Sequence, residues 1–229
     1  MDNILANSLH WQIFQTSPFV PQKTFGSAPQ SWADGFKFQS VQPLRNEVLT
    51  RQTVRAIASS PQVDVADGYL TAMAWGMQGL GVTARHARSA WENFESIRPI
   101  LSRIKEGELS RREAFDAFKN TPVPGLGPAY FTKLIYFFKP EADVFIMDQW
   151  TSKAINLLAT SKLVVMDGNS VSSRNKGENY EAYCVAVVEA ARNIGLSGDE
   201  TEQKLFCIGS IRRKPRGPWR QYVFDNTKG

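Results

Sequence analysis

The chain has few of the residues that build metal centres. Its 229 residues include two cysteines and two histidines. Protein-bound zinc and iron–sulfur clusters need more, and more closely spaced, nitrogen or sulfur ligands than Cys184, Cys207, His10 and His86 can supply. We therefore expect no metal site, no iron–sulfur cluster and no other cofactor, and two buried, reduced cysteines.

Long hydrophobic runs are also missing. No stretch approaches the roughly 18 consecutive apolar residues of a membrane span. The first residues, Met1 to Leu9, lack both the basic region and the apolar region of a secretory signal. The sequence thus predicts a cytoplasmic protein without a membrane partner. The composition, 42% hydrophobic and 21% charged, is that of an ordinary globular chain. We expect one domain over residues 1–229 and a monomer.

Basic residues outnumber acidic ones and give a formal net charge of +5. This excess is compatible with a polyanionic partner. Within the basic C-terminal segment, residues 211–220 include no acidic residue and are a candidate for binding phosphates, although a solvated tail would look the same. They contain Arg212, Arg213, Lys214, Arg216 and Arg220. Over residues 85–112 the arginines alternate with glutamates, which favours an ordinary solvated surface.

Helical periodicity dominates from Leu44 onward, so the predicted fold class is mainly α. The proline-rich segment 17–43 should be irregular and largely extended. Asp67 is a candidate helix cap, Pro99 should break a helix that starts at Thr83, and Ser110 with Glu113 forms a capping-box pattern. Helices are predicted over 44–58, 67 to about 79, 83 to about 99, 111–120, 128–138, 149–159, 178–194 and 198–208. A lone strand could form at 163–167.

The most informative segment is a glycine-containing turn between two predicted helices, Val123-Pro124-Gly125-Leu126-Gly127-Pro128. Its glycines permit a tight bend, and Pro128 suits the first position of the next helix. Leu126 can tuck into the angle between the helices. Backbone N–H groups at such a helix N-terminus attract an anion, and a DNA phosphate would fit there.

This turn, the apolar helix after it and the segment Asp143-Val144-Phe145-Ile146-Met147-Asp148-Gln149-Trp150 resemble the helix-hairpin-helix–GPD superfamily of base-excision DNA glycosylases. The runs GLGPAYFTKLIYF and IMDQW resemble its 8-oxoguanine-glycosylase-like branch. The resemblance covers residues 110–158. It implies two helical lobes with a central cleft, double-stranded DNA as partner, and DNA contacts at Gly125, Leu126, Gly127 and Ala129. A structural monovalent cation at the hairpin is a further option, and the basic segment 204–229 lies beyond the matching window.

The resemblance also implies a catalytic carboxylate at Asp148. A glycosylase flips the target nucleotide out of the duplex, and a carboxylate stabilises the positive charge that develops on the sugar. The alternative is that Asp148 only caps the helix after it, which is worth about 1 kcal/mol. The two roles are compatible.

At one position the sequence departs from the family pattern. Ala129 stands where members with lyase activity carry a Schiff-base lysine, and the resemblance directs this position toward the base pocket. Lys133, one helical turn later, is a candidate substitute. The alternative is a solvent-facing stripe made of Ala129, Thr132, Lys133 and Tyr136.

The base pocket should contain aromatic faces and hydrogen-bonding groups. Trp75 and Trp150 are candidates for its walls, with core packing as the alternative, and Gln149 could contact a base or a phosphate. The function predicted from these residues is a DNA glycosylase that removes oxidised guanine or a hypermodified base of phage DNA, the latter as an anti-phage defence. A non-catalytic DNA-binding module and a helical protein–protein adaptor are the alternatives.

Overall fold

Helices make up most of the described chain, in agreement with the predicted fold class. The computed structural model describes residues 9–21, 26–76, 82–140, 143–206 and 217–227. Within these ranges lie one antiparallel two-stranded ribbon, β1 (Met166–Asp167) with β2 (Ser170–Val171), and twelve α-helices: α1 (Leu9–Thr16), α2 (Pro29–Phe36), α3 (Arg51–Ala58), α4 (Val65–Gly76), α5 (Val82–Glu92), α6 (Phe94–Lys105), α7 (Arg111–Asn120), α8 (Pro128–Phe138), α9 (Gln149–Leu158), α10 (Gly177–Ile194), α11 (Gly198–Phe206) and α12 (Pro218–Asn226).

The chain divides into two compact units. The central unit is Lys23–Val144, and the terminal unit joins Met1–Gln22 to Phe145–Gly229. None of the helices in the described ranges is long and apolar enough to cross a membrane.

Helix α8 is the core element of the central unit. It packs against α3, α4, α6 and α7. The sequence explains this position, because a helix that is apolar all round must be covered on every side. Eight of its side chains are accordingly buried: Pro128, Phe131, Thr132, Leu134, Ile135, Tyr136, Phe137 and Phe138.

Helix α9 has the corresponding place in the terminal unit, where it packs against α1, α10, α11 and α12. Ala154, Ile155 and Leu158 are fully buried on its inner face. Helix α10, the longest of the described helices, buries Tyr180 and Tyr183. The N-terminus of α9 directly follows the segment that carries Asp148, so this packing fixes where that residue lies.

Several predicted helices are confirmed. The capping box at Ser110 is present, with both reciprocal bonds to Glu113, and α7 follows it. Helix α8 has the predicted bounds, and the bounds of α9, α10 and α11 differ from the predicted ones by at most two residues. The strand predicted over 163–167 is reduced to the two residues of β1.

The prediction of an irregular segment over 17–43 is wrong in part, because α2 lies within it. Pro29 occupies the first turn of α2, where its fixed φ angle suits the helix and its missing N–H costs nothing. Ala28 is extended, as a residue before proline prefers. The buried Trp32 and Ala33 hold this helix against the rest of the central unit.

The helix predicted from Leu44 begins only at Arg51. The Thr50 side chain accepts a hydrogen bond from the Thr53 N–H at 3.1 Å, which makes Thr50 the N-cap. Val48, predicted to share a buried stripe, is 43% exposed. Local capping chemistry therefore outweighed the apolar spacing.

The predicted cap at Asp67 is also wrong. Asp64 accepts a hydrogen bond from the Ala66 N–H at 2.7 Å at the start of α4. Asp67 lies inside the helix and is buried. Its carboxylate accepts hydrogen bonds from the backbone N–H groups of Val41 at 2.7 Å and Gln42 at 3.0 Å. Asp67 thus binds the backbone of a loop that is distant in sequence. The predicted helix end near Gly79 lies outside the described residues.

The break predicted near Pro99 occurs earlier in the chain. Pro99 lies inside α6, and the helical run is interrupted at Asn93, whose φ and ψ are −105° and 13°. A proline inside a helix costs about 3 kcal/mol. Burial of Ile97, Leu101 and Ile104 on the same helix offsets that cost.

Candidate active site

The glycine turn of the central unit connects α7 to α8. Gly125 has a φ of +83°, and a Cβ placed on it would lie 2.5 Å from the His86 carbonyl oxygen of α5. Glycine is therefore required twice at this position, by backbone conformation and by the close approach of α5. Leu126 is buried, as predicted, and its N–H bonds the Val123 carbonyl at 3.0 Å.

The other side of the turn is open. Gly127 is extended and exposed, and a Cβ placed on it would meet nothing within 4 Å. Its carbonyl accepts from the N–H groups of Tyr130 and Phe131. Within the described ranges, the N–H groups of Gly127 and Ala129 donate to no acceptor. Two unused donors at the N-terminus of a helix suit an anion such as phosphate. The assignment of this turn as a helix-hairpin-helix DNA contact stays a prediction.

In the terminal unit, Asp148 is the N-cap of α9. Its Oδ1 accepts hydrogen bonds from the N–H groups of Trp150 at 2.7 Å and Thr151 at 2.9 Å. The Thr151 hydroxyl oxygen accepts in return from the Asp148 N–H at 3.0 Å, which completes a capping box. The capping role weighed in the sequence analysis is thus confirmed.

The second carboxylate oxygen of Asp148 is differently placed. The side chain is only half-buried, and no residue of the described ranges donates a hydrogen bond to Oδ2. One oxygen therefore fixes the carboxylate on the helix, while the other remains able to meet a cation or accept a proton. This combination suits a catalytic carboxylate.

The segment before Asp148 is held by two tyrosines that sequence reasoning missed. The hydroxyl of Tyr180 donates to the Phe145 carbonyl at 2.9 Å, and that of Tyr183 donates to the Ile146 carbonyl at 2.8 Å. Burial and, after it, the nearby Glu202 carboxylate raise the pKa of Tyr183 well above its usual value, so the phenol keeps its proton. Their spacing along the apolar stripe of α10 was the available signal.

Trp150 carries a cation on its ring. The Arg220 guanidinium carbon lies 3.8 Å from the indole centroid and 4.8 Å from the ring centroid of Phe206. The Lys153 ammonium is 5.7 Å from the same indole. Trp150 is half-buried, and so is the neighbouring Gln149. A base stacking on the indole face that Arg220 covers would have to displace the guanidinium. The role of Trp150 and Gln149 in a base pocket stays a prediction.

Trp75 and Lys133 lie in the central unit. Trp75 is buried and packs edge-on against Phe137 at 5.0 Å, the arrangement of a core side chain. The Lys133 ammonium donates to the Gly76 carbonyl, at the C-terminal end of α4, at 3.1 Å and lies 5.0 Å from the Tyr130 ring centroid.

The stripe that includes Lys133 is not solvent-facing. Thr132 and Tyr136 are completely buried. That alternative is therefore wrong. Ala129 and Lys133 are half-buried, and the Lys133 amine is bound to a backbone carbonyl.

The remaining candidates are not placed. Arg212, Arg213, Lys214 and Arg216 lie outside the described residues, as does Cys207. Cys184 is buried, as predicted. Of the candidates within the described ranges, the structure places Gln149 and Trp150 next to Asp148 in the terminal unit.

Comparison with protein families decides the relationship. The family described as "Putative 8-oxoguanine DNA glycosylase OGG-like protein" matches residues 18–206. The chain belongs to this family. The match extends far beyond the window 110–158 and includes both the glycine turn and Asp148. Membership in this OGG-like family indicates DNA as the substrate. No curated protein and no solved structure matches the chain.

The glycine turn yields a matched pair of stability predictions. Gly125→Ala should lower the free energy of unfolding by about 1–3 kcal/mol or more, because the new Cβ meets the His86 backbone at an unfavourable φ. Gly127→Ala should change it by less than about 1 kcal/mol, because φ is −75° and the space is open. Urea unfolding followed by circular dichroism measures both, and equal losses would contradict the account.

Proposed function

We propose that this protein is a DNA N-glycosylase that hydrolyses the bond between a flipped-out modified base and its deoxyribose. The observation that carries the proposal is the Asp148 carboxylate, with Oδ1 fixed by two backbone N–H groups and Oδ2 without a donor in the described ranges. Family membership supports the reaction class.

The proposed reaction needs only DNA and water. The bond between C1′ of the sugar and the base nitrogen breaks, its electron pair leaves with the base, and positive charge develops at C1′. The Asp148 carboxylate stabilises this charge and accepts a proton from the water that adds to C1′. The departing base then takes up the proton released from the water, which leaves Asp148 ionised again, and the products are the free base and an abasic site. No metal or other cofactor enters this scheme.

The glycine turn supplies a binding function in this proposal. Its unused N–H groups, on Gly127 and Ala129, would hold a phosphate of the DNA backbone. Such a contact positions the duplex without reading its sequence.

We propose oxidised guanine as the base, because the family's description names 8-oxoguanine. A base released instead from hypermodified phage DNA would keep the chemistry and change the substrate. Assays with both duplexes separate these outcomes.

Asp148→Asn tests the catalytic role. The amide oxygen can still accept from the Trp150 and Thr151 N–H groups, so the helix cap and DNA binding should persist. Release of 8-oxoguanine, measured as free base and as abasic sites under single-turnover conditions, should fall by on the order of 10²-fold or more. Asp167→Asn, an exposed carboxylate of the same unit, is the control and should keep the wild-type rate.

A different result would support the non-catalytic alternative. If wild-type protein binds duplexes but releases no base from oxidised or hypermodified DNA, the glycosylase proposal fails. Equal rates for wild type and Asp148→Asn would reject Asp148 as the catalytic carboxylate and leave the activity standing.

We further propose that Lys133 supports the end of α4 and forms no Schiff base, since its ammonium is bound to the Gly76 carbonyl. Borohydride added during turnover should then trap no covalent DNA complex. Lys133→Arg keeps a donor for that carbonyl and cannot form a Schiff base, so its base release should stay near the wild-type rate. If borohydride traps a covalent complex with wild-type protein but not with Lys133→Arg, Lys133 carries out lyase chemistry.

A further inference from the structure

One face of α5 carries two arginines that pair with no residue in the described part of the chain. Arg85, Arg88, Ser89 and Glu92 line a surface pocket of about 320 Å³. Their spacing places them on a single helix face. Arg85 and Arg88 are exposed. Within the described ranges, neither forms an ion pair or a hydrogen bond.

Arginines farther along the chain behave differently. Arg98 pairs with Glu95 at 2.9 Å and with Asp64 at 3.4 Å, and Arg103 pairs with Glu108 at 3.1 Å. The expectation of an ordinary solvated surface with alternating charges thus fits Arg98 and Arg103. Arg85 and Arg88 are exposed, as this expectation requires, but no residue of the described ranges pairs with them, so their guanidinium groups stay available to an external anion.

Helix α5, which carries this face, contacts the glycine turn through its backbone. The backbone of His86, the residue after Arg85, comes so near Gly125 that a Cβ there would lie 2.5 Å from the His86 oxygen and 2.7 Å from its Cα. Helix α5 and the turn are therefore in direct backbone contact within the central unit. The two unused N–H groups of Gly127 and Ala129 belong to the same turn.

We propose that Arg85 and Arg88 bind DNA phosphates next to the phosphate held by the glycine turn, so that α5 and the turn form one backbone-binding surface. This inference rests on the proposed DNA substrate. Guanidinium groups suit phosphate, which they bind through paired N–H donors. The hydroxyl of Ser89 is a further donor on the same face. Glu92 repels phosphate, so the contact is confined to the N-terminal part of the face.

The test is the salt dependence of affinity for an unmodified duplex. Each phosphate contact contributes about 0.9 to the slope of log affinity against log salt. Arg85→Ala and Arg88→Ala should each lower the slope by about 0.9, and the double variant by about twice that amount. Arg103→Ala is the control, because it removes the same charge from an ion-paired arginine of the same unit and should leave the slope unchanged.

Two further measurements keep the inference separate from the proposed function. The lysine variants Arg85→Lys and Arg88→Lys retain the charge and should keep most of the slope. Base release by the double alanine variant should need a higher DNA concentration to reach half its maximum, because the loss of phosphate contacts weakens DNA binding.

The outcomes are distinguishable. An unchanged slope in the double alanine variant, with wild-type protein still releasing base, overturns this inference alone. A slope that falls equally in Arg103→Ala reduces the effect to net charge and also overturns it. Wild-type protein that neither binds DNA nor releases base overturns the proposed function together with this inference.

Discussion

The position of Asp148 depends on how the buried segment before it satisfies its carbonyl groups. Phe145, Ile146 and Met147 are buried without belonging to a helix or strand, so their backbone lacks the regular partners that such elements provide. Tyr180 and Tyr183 of α10 supply donors to two of these carbonyls, and the Thr151 hydroxyl supplies a second donor to Ile146 at 2.9 Å. These bonds fix the approach to α9, and the capping box then fixes one oxygen of Asp148.

In the central unit, the glycine turn combines close packing with exposed N–H groups. The His86 backbone of α5 contacts Gly125, and Leu126 is buried. These contacts hold α5 against the turn between α7 and α8, where Gly125 places no side chain. The same geometry leaves N–H groups exposed at the start of α8. Packing and the exposure of these N–H groups thus have one cause, because a larger residue at Gly125 would change both. Arg85 and Arg88, which pair with no residue that the structure describes, lie on the helix that makes this contact.

Local signals made part of this structure predictable from the sequence. Three helix starts depend on residues only a few positions apart and were therefore predictable: Ser110 with Glu113, Pro128 after two glycines, and Asp148 before Gln149. Contacts between distant residues were not predictable. Asp67 binds the backbone of Val41 and Gln42, and Arg220 stacks on Trp150, pairs that no periodicity relates. The interpretation of Asp67 as a cap failed for this reason.

The central claim is that Asp148 stabilises positive charge on the sugar, and binding of charged abasic analogues tests it most directly. Duplexes would carry either a cationic pyrrolidine or a neutral tetrahydrofuran in place of the target nucleotide. Wild-type protein should bind the cationic duplex about 10²-fold more tightly, as expected for a transition-state analogue, and Asp148→Asn should lose most of that preference. Equal wild-type affinities, or a preference that survives in Asp148→Asn, would contradict the account.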